Sequence, residues 1–234
     1  MFATREREFQ MQATRQRACF PLAAPEIPTV THEHLAALFR RLTFDISGDP
    51  LAACVLFCEH PPSATIGRHG SGAEVRGFPN ETIQYVARGG PALPHGKGQL
   101  GIYPVLPLDA WRIGAAEHVS KLLRVVLAVV RHYGVAATIA PQDALLMVGT
   151  RPLAAVGVAI HRGVCSYGMV LNVNPDLESF AAVRVKGASM TSLIRESPHR
   201  VLLPEIPNVV LREMCEEDPA FPPPPHSSGS DSTC

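Results

Sequence analysis

Apolar residues recur along this chain at two different spacings. Between 31 and 44 the segment THEHLAALFRRLTF sets Leu35, Leu38, Phe39 and Leu42 at i, i+3, i+4 and i+7. That spacing lays one apolar stripe along a helix, and Thr31 is a residue type that caps a helix start. Residues 115–134 repeat the pattern at greater length. Glu117, Lys121, Arg124, Ala128 and Arg131 step down one stripe, the rest is mostly aliphatic, and Gly134 suits the C-terminal end.

Elsewhere the apolar runs are short and bounded by turn residues. Segments 53–59, 83–87, 99–106, 145–148, 153–161 and 164–173 are predicted strands. The GTRP and HRGV turns between the last three predict consecutive hairpins. Short helices are predicted over 176–182, capped by Asp176, and over 208–217. Strands joined mostly by turns, with helices outside, predict an α+β single domain. Its central sheet is expected to be mixed, largely antiparallel and flanked by helices, not doubly wound. Residues 26–218 make up this domain. Residues 1–25 read as a tail or surface helix, and 219–234, with four consecutive prolines before Ser and Gly, as a disordered Pro/Ser-rich tail.

Charge adds exclusions. Lys plus Arg and Asp plus Glu both number 21, so nothing global attracts nucleic acid or an anionic membrane. The longest apolar region, 119–135, is broken by Lys121, Arg124, Arg131 and His132, short of the roughly 18 residues a membrane helix needs. The Arg-rich start lacks an apolar core and carries Glu6 and Glu8, which speaks against a secretory signal or transit peptide. The six cysteines are irregularly spaced. Cys54 and Cys58 share a strand face but sit too far apart for a disulfide, and no second pair completes a zinc site. Buried, reduced thiols in a cytoplasmic monomer are the expectation.

Three segments combine Gly with polar residues at predicted strand ends: 59–70 (EHPPSATIGRHG), 88–104 (RGGPALPHGKGQLGIYP) and 185–193 (VKGASMTSL). Such turns let backbone N–H groups approach a ligand oxygen, Arg88 or Lys97 could pair with a carboxylate or phosphate, and His95 could carry a proton. The alternative is that the glycines only make tight turns. His60, before two prolines, reads as a strand-end hydrogen bonder. His118, His132 and His161 read as solvated. No P-loop or nucleophile elbow is present.

The stretches EHPPSATIGR, RGGPALPHGKGQLGIYPVLPL, RPLAAVGVAI, YGMVLNVNPDLESF and MTSL follow in that order. They resemble the successive motifs of the octanoyltransferases of lipoate biosynthesis, in the biotin/lipoate ligase superfamily, from about residue 43 to 193. The resemblance implies the biotin/lipoate protein ligase catalytic-domain fold. It also implies transfer of an octanoyl group from acyl carrier protein, through an enzyme cysteine, to a lysine of a lipoyl domain. Those two proteins are the implied partners; no cofactor and no metal is implied. Carried over residue by residue, the substrate groove would use Arg68, Arg88, Gly89, Gly90, His95, Gly96, Lys97, Gly98, Gln99, Gly157, Gly168 and Asn172.

The chemistry of such enzymes needs a thiolate, with a lysine that lowers the thiol pKa. Here the slot of the family cysteine, counted from Phe180 and preceding Gly187, holds Lys186. The slot of the lysine holds Pro152, that of a histidine holds Tyr167, and Lys97 stands where Pro is usual. Three readings follow: an acyltransferase with rearranged chemistry, using Lys186 or Lys97 as the cation; one with Cys165 as a displaced nucleophile; or a non-catalytic relative that binds an acyl group, an acyl carrier protein or a lipoyl domain.

Overall fold

The computed structural model describes residues 27–49, 52–76, 78–79, 82–183, 185 and 187–217. The terminal segments expected as tails, and Lys186, lie outside the described residues. The elements run α1 (His32–Ser47), β1 (Cys54–Cys58), β2 (Ser63–Ile66), β3 (Ile83–Tyr85), β4 (Ala92–His95), β5 (Gln99–Val105), α2 (Leu108–Trp111), α3 (Ala115–His132), β6 (Thr138–Ala140), β7 (Leu145–Val148), β8 (Arg151–His161), β9 (Val164–Asn172), α4 (Leu177–Phe180), α5 (Leu193–Glu196) and α6 (Ile206–Glu217).

The fold is α+β. Six strands in the order β1-β5-β9-β8-β7-β6 form the central sheet, every pairing antiparallel; β7 to β9 follow one another as predicted, and β6 is an edge strand that was not predicted. The parallel pairing sits apart, between β2 and β3 of a three-stranded sheet ordered β3-β2-β4. Two of these strands, β2 and β4, lie inside segments that the sequence reading took as loops. Both are fully buried and only four residues long, so they show neither alternation nor length.

Strand β1 shows how the sheet is sandwiched. Ala53, Val55 and Phe57 face α3 and α6 with Leu100, Leu122, Val126 and Leu171. Cys54, Leu56 and Cys58 face α1 with Leu35, Phe39, Leu42 and Ile46. Period-two side chains therefore serve two cores. The α1 core covers only one end of that sheet face. The small sheet covers the other, through Ala64, Ile66, Ala92 and Leu93 packed on Ala155 and Val170. The α1 start is capped by Thr31, whose Oγ1 accepts from the His34 N–H at 3.3 Å.

One histidine expectation is corrected here. His118 is only 3% exposed, on the inward face of α3, whereas His132 and His161 are exposed as expected. The apolar stripe is wide enough that position 118 belongs to it. Among the described residues no helix is long and apolar enough to cross a membrane.

Candidate functional site

Where α1 meets the small sheet over the central sheet, the chain leaves a groove of two adjoining cavities. The first is lined by His32, Thr65, Arg88, His95, Tyr103, Gly157, Tyr167 and Gly168, among others. The second is lined by Gln99, Pro152, Ala154, Asn172 and Met190, among others, and shares Leu93, Ala155 and Val170 with the first. The Gly-rich stretch is therefore not one loop. Its RGG turn, strand β4 and HGKG turn form one edge of the groove, and β5 carries its end into the central sheet.

The RGG turn is clamped from both sides. Arg68 N–H donates to Arg88 O at 2.9 Å, and Gly89 N–H to Val158 O at 3.0 Å. A Cβ on Gly157 would lie 2.6 Å from Gly89 O, so β8 can approach this turn only through glycine. Gly157 pairs with Gly168 of β9 across the sheet. The HGKG turn is held by Glu59, whose buried carboxylate accepts from Gly98 N–H at 2.6 Å.

Arg88 is 5% exposed. Its Nη1 donates to Gly89 O and Pro91 O, and its Nη2 to Thr65 O and, at 2.7 Å, to Thr65 Oγ1. The rigid fork is thus occupied by four acceptors, so it organises the groove wall. The Thr65 hydroxyl, already accepting from Arg88, donates onward to His95 Nε2 at 2.8 Å. His95 Nδ1–H donates to Gln99 Oε1 at 2.8 Å, because Gln99 Nε2 donates to Pro94 O and to Asn172 Oδ1, each at 3.0 Å. Asn172 Nδ2 donates to Thr191 O at 3.1 Å. The Thr191 hydroxyl bonds to Glu196, which Arg151 also pairs at 2.7 Å. One polar chain thus crosses an otherwise apolar interior, and from Arg88 to Glu196 each member bonds the next.

Beside it stand two more buried histidines. His60 Nδ1–H donates to Val30 O at 2.6 Å, and its Nε2 accepts from the Tyr103 hydroxyl at 2.7 Å. His32 stacks on His60 with ring centroids 3.9 Å apart and meets His95 edge-on at 4.4 Å. Burial, with His60 and Arg88 nearby, holds the His32 imidazole down at about 2. Burial brings His60 to about 4 against the opposing effect of the hydrogen bond it donates to Val30 O, and burial likewise holds His95 well below its ordinary value. All three are neutral at pH 7.

The described positions carried over from motif resemblance divide in three. Arg88, His95, Gln99, Pro152, Gly157, Tyr167, Gly168 and Asn172 line the groove. Gly89, Gly90, Gly96 and Gly98 build its turns, and the Arg68 and Lys97 side chains are exposed outside it. Tyr167 takes a left-handed φ of 60° within β9 and tilts its ring against Phe39 at 4.8 Å. Lys186 lies outside the described residues; its neighbour Val185 is buried with Ala155 and Val170. Cys165 is fully buried, its thiol directed at Pro104 O and Ser166 O and pushed up to about 12 by burial. Sequence reasoning missed His32, Thr65, Glu59 and Thr191. For His32 the available signal was its place at the polar start of an apolar-striped helix.

Comparison with known proteins bears on the family and the fold. The family model described as the lipoyl protein ligase A/B catalytic domain matches residues 36–214. An octanoyltransferase of Bacteroides fragilis is 32% identical over 182 residues, which cover 72% of this chain and 82% of that protein. The crystal structure of lipoate-protein ligase A bound with ATP superposes with a TM-score of 0.62 at 18% identity, covering 82% of this chain and 83% of the other. A bi-partite lipoate protein ligase from Thermoplasma acidophilum, studied with its E2 lipoyl domain, gives 0.55 at 16% identity, with 82% and 83% covered.

Proposed function

The chain belongs to the lipoyl protein ligase A/B catalytic domain family, and from that membership we propose that its groove takes up the octanoyl group of octanoyl-acyl carrier protein without forming the enzyme thioester. The observation that carries this reading is the composition of the second cavity. Gln99 and Asn172 line it beside Pro152, which stands in the slot of the family lysine. Proline has no proton to give or take, so that position cannot lower a thiol pKa or relay a proton to an amine. Cys165 does not replace the missing nucleophile, because a thiol pushed up to about 12 by burial is un-ionised and unreachable.

The rest of the groove supports acyl binding. Leu93, Ala155 and Val170 provide apolar wall common to both cavities, while the polar chain from Arg88 to Asn172 offers oriented groups at one side. Acyl carrier proteins are acidic, and the exposed Arg68, Arg76 and Lys97 would steer one towards the groove mouth. A lipoyl domain is the acceptor the family membership suggests.

Calorimetry tests the binding half. Octanoate or octanoyl-carrier protein should bind the wild type, and Ala155→Leu, which fills the wall common to both cavities, should weaken binding at least tenfold. No heat with either ligand at millimolar concentration refutes it. Intact mass after incubation with octanoyl-carrier protein tests the other half: a hydroxylamine-sensitive adduct of octanoyl mass on the wild type overturns it.

A further inference from the structure

The three buried histidines have a property that acyl binding does not use. His32, His60 and His95 each offer a ring nitrogen, and these atoms lie within 4.8 Å of one another. They come from separate parts of the chain: the first turn of α1, the end of β1 and the end of β4. Their tautomers are fixed by outward hydrogen bonds. His60 Nδ1–H is anchored on Val30 O and His95 Nδ1–H on Gln99 Oε1, so each carries its lone pair on Nε2. Anchoring the distal N–H on a carbonyl or amide oxygen is how metal-binding imidazoles are commonly oriented. The third member supplies an independent sign. His32 is 6% exposed, lines the first cavity, and its Nε2 is buried without a hydrogen-bond partner. An orphaned buried nitrogen in a wall of neutral imidazoles is the group a ligand would satisfy.

We propose that His32, His60 and His95 form a site for one divalent transition-metal ion of the zinc and cobalt type, at the wall of the acyl groove. Three neutral imidazoles suit these ions, and an ion so held keeps an open coordination position. Zinc–nitrogen bonds of about 2.1 Å set the nitrogens roughly 3.4 Å apart, so the rings close in by up to about 1.4 Å from the 4.8 Å spread seen here. The ion takes the lone pairs on which the Tyr103 and Thr65 hydroxyls now rest, and it satisfies His32 Nε2. Cys58 Sγ, 3.8 Å from His60 Nε2, is the neighbouring soft donor and the main competitor. The site needs no acyl substrate, so it stands or falls separately from the function proposed above.

The test uses the full chain without an affinity tag, freed of metal with a chelator and then dialysed against Zn²⁺ or Co²⁺. The wild type should retain one equivalent and gain thermal stability from it. The cobalt form should show the visible bands of a four- or five-coordinate nitrogen site without sulfur charge-transfer absorption. His32→Phe keeps a ring of similar size but no donor, and should bind at least about tenfold more weakly. His132→Ala, on the exposed face of α3, should bind like the wild type. No stoichiometric uptake by the wild type overturns the proposal. So does undiminished binding by a folded His32→Phe. Strong sulfur charge-transfer bands in wild-type cobalt protein also overturn it, and that readout does not depend on any variant folding.

Discussion

Gln99 and Asn172 face each other in register across β5 and β9, and the Gln99 amide Nε2 donates to Asn172 Oδ1 at 3.0 Å. This bond decides the polarity of the groove. Because Gln99 Nε2 is spent on Asn172 and Pro94, its Oε1 must accept from His95, which fixes the His95 tautomer and leaves Nε2 to the Thr65 hydroxyl.

Asn172→Leu should therefore do more than remove one contact. It takes an acceptor from Gln99 Nε2 and a donor from Thr191 O in a place water does not reach. Leaving buried polar groups short of partners costs about 1–3 kcal/mol each, so a loss of roughly 2–4 kcal/mol is expected in urea unfolding. A change under about 0.5 kcal/mol would mean that the chain of hydrogen bonds does not stabilise the fold.

Gly98→Ala should be among the most damaging small substitutions. Gly98 has φ +85°, and a Cβ there would sit 2.1 Å from Asn174 O. The same residue accepts from Val173 and Asn174 N–H through its carbonyl and donates to Glu59, so the backbone cannot easily move aside. Left-handed backbone costs about 1–2 kcal/mol for a residue with a Cβ, and the clash adds to it. Loss of at least about 3 kcal/mol, or insoluble expression, is expected. Gly149→Ala, also at positive φ but with nothing near its Cβ, should cost only the backbone part.

Cys165 gives a pH prediction. Burial pushes its thiol up to about 12 from an ordinary 9.0, so the native state keeps the proton longer than the unfolded chain does. Its contribution to stability is complete below pH 9 and is lost as pH rises from 9 towards 12, by up to about 1.4 kcal/mol per pH unit. Cys165→Ala should flatten that alkaline decline in unfolding experiments. In native protein at pH 8.5, iodoacetamide should leave Cys165 unmodified, as peptide mapping would reveal. Rapid labelling there would contradict its burial.

What could be read in the sequence follows the strength of each physical signal. Long periodic segments such as α3 and the β7–β8–β9 meander were legible because their apolar spacing repeats over many residues. Strands β2 and β4 were not, since four buried residues between Gly and Pro look like loop. Arg88, His95, Gln99 and Asn172 were named through motif resemblance, and the structure brings them to one groove. His32 was not found: helical spacing puts it on the apolar stripe, three before Leu35 and seven before Phe39, but its place beside His60 and His95 comes from three remote segments meeting, which no local pattern encodes. Arg68 and Lys97 have the right residue types, but their side chains are exposed outside both cavities.

The sharpest prediction concerns Pro152 and Lys186. Pro152 is buried, and its carbonyl accepts from Thr191 N–H at 3.0 Å. It tolerates its place in β8 because the ladder to β9 begins only at Ala154, while the register with β7 shifts beside it, between Leu146 and Met147. A lysine at this position would direct an amine towards the cavity wall made by Gln99, Asn172 and Met190. Lys186 cannot do the work of a cysteine: a lysine that attacks a thioester forms an amide, too stable to pass on. Lys186→Cys alone supplies a thiol without an amine to ionise it, and should not octanoylate an apo-lipoyl domain above background. Pro152→Lys alone supplies the amine without a nucleophile and should be equally inactive. If Pro152 and Lys186 occupy the slots proposed above, the double variant supplies a nucleophile–base pair, and positioned proton transfer contributes about 10²–10⁴-fold, so its rate should exceed either single variant at least a hundredfold. Octanoyl transfer followed by intact mass of the lipoyl domain measures this directly. Should the double variant stay inactive, Tyr167→His in the same background decides between a blocked groove and a mistaken slot. Activity restored by that third change places the obstruction at the Tyr167 ring, which lines the first cavity. Continued inactivity in all of them, with folding intact, refutes the assignment of Pro152 and Lys186 to the catalytic slots.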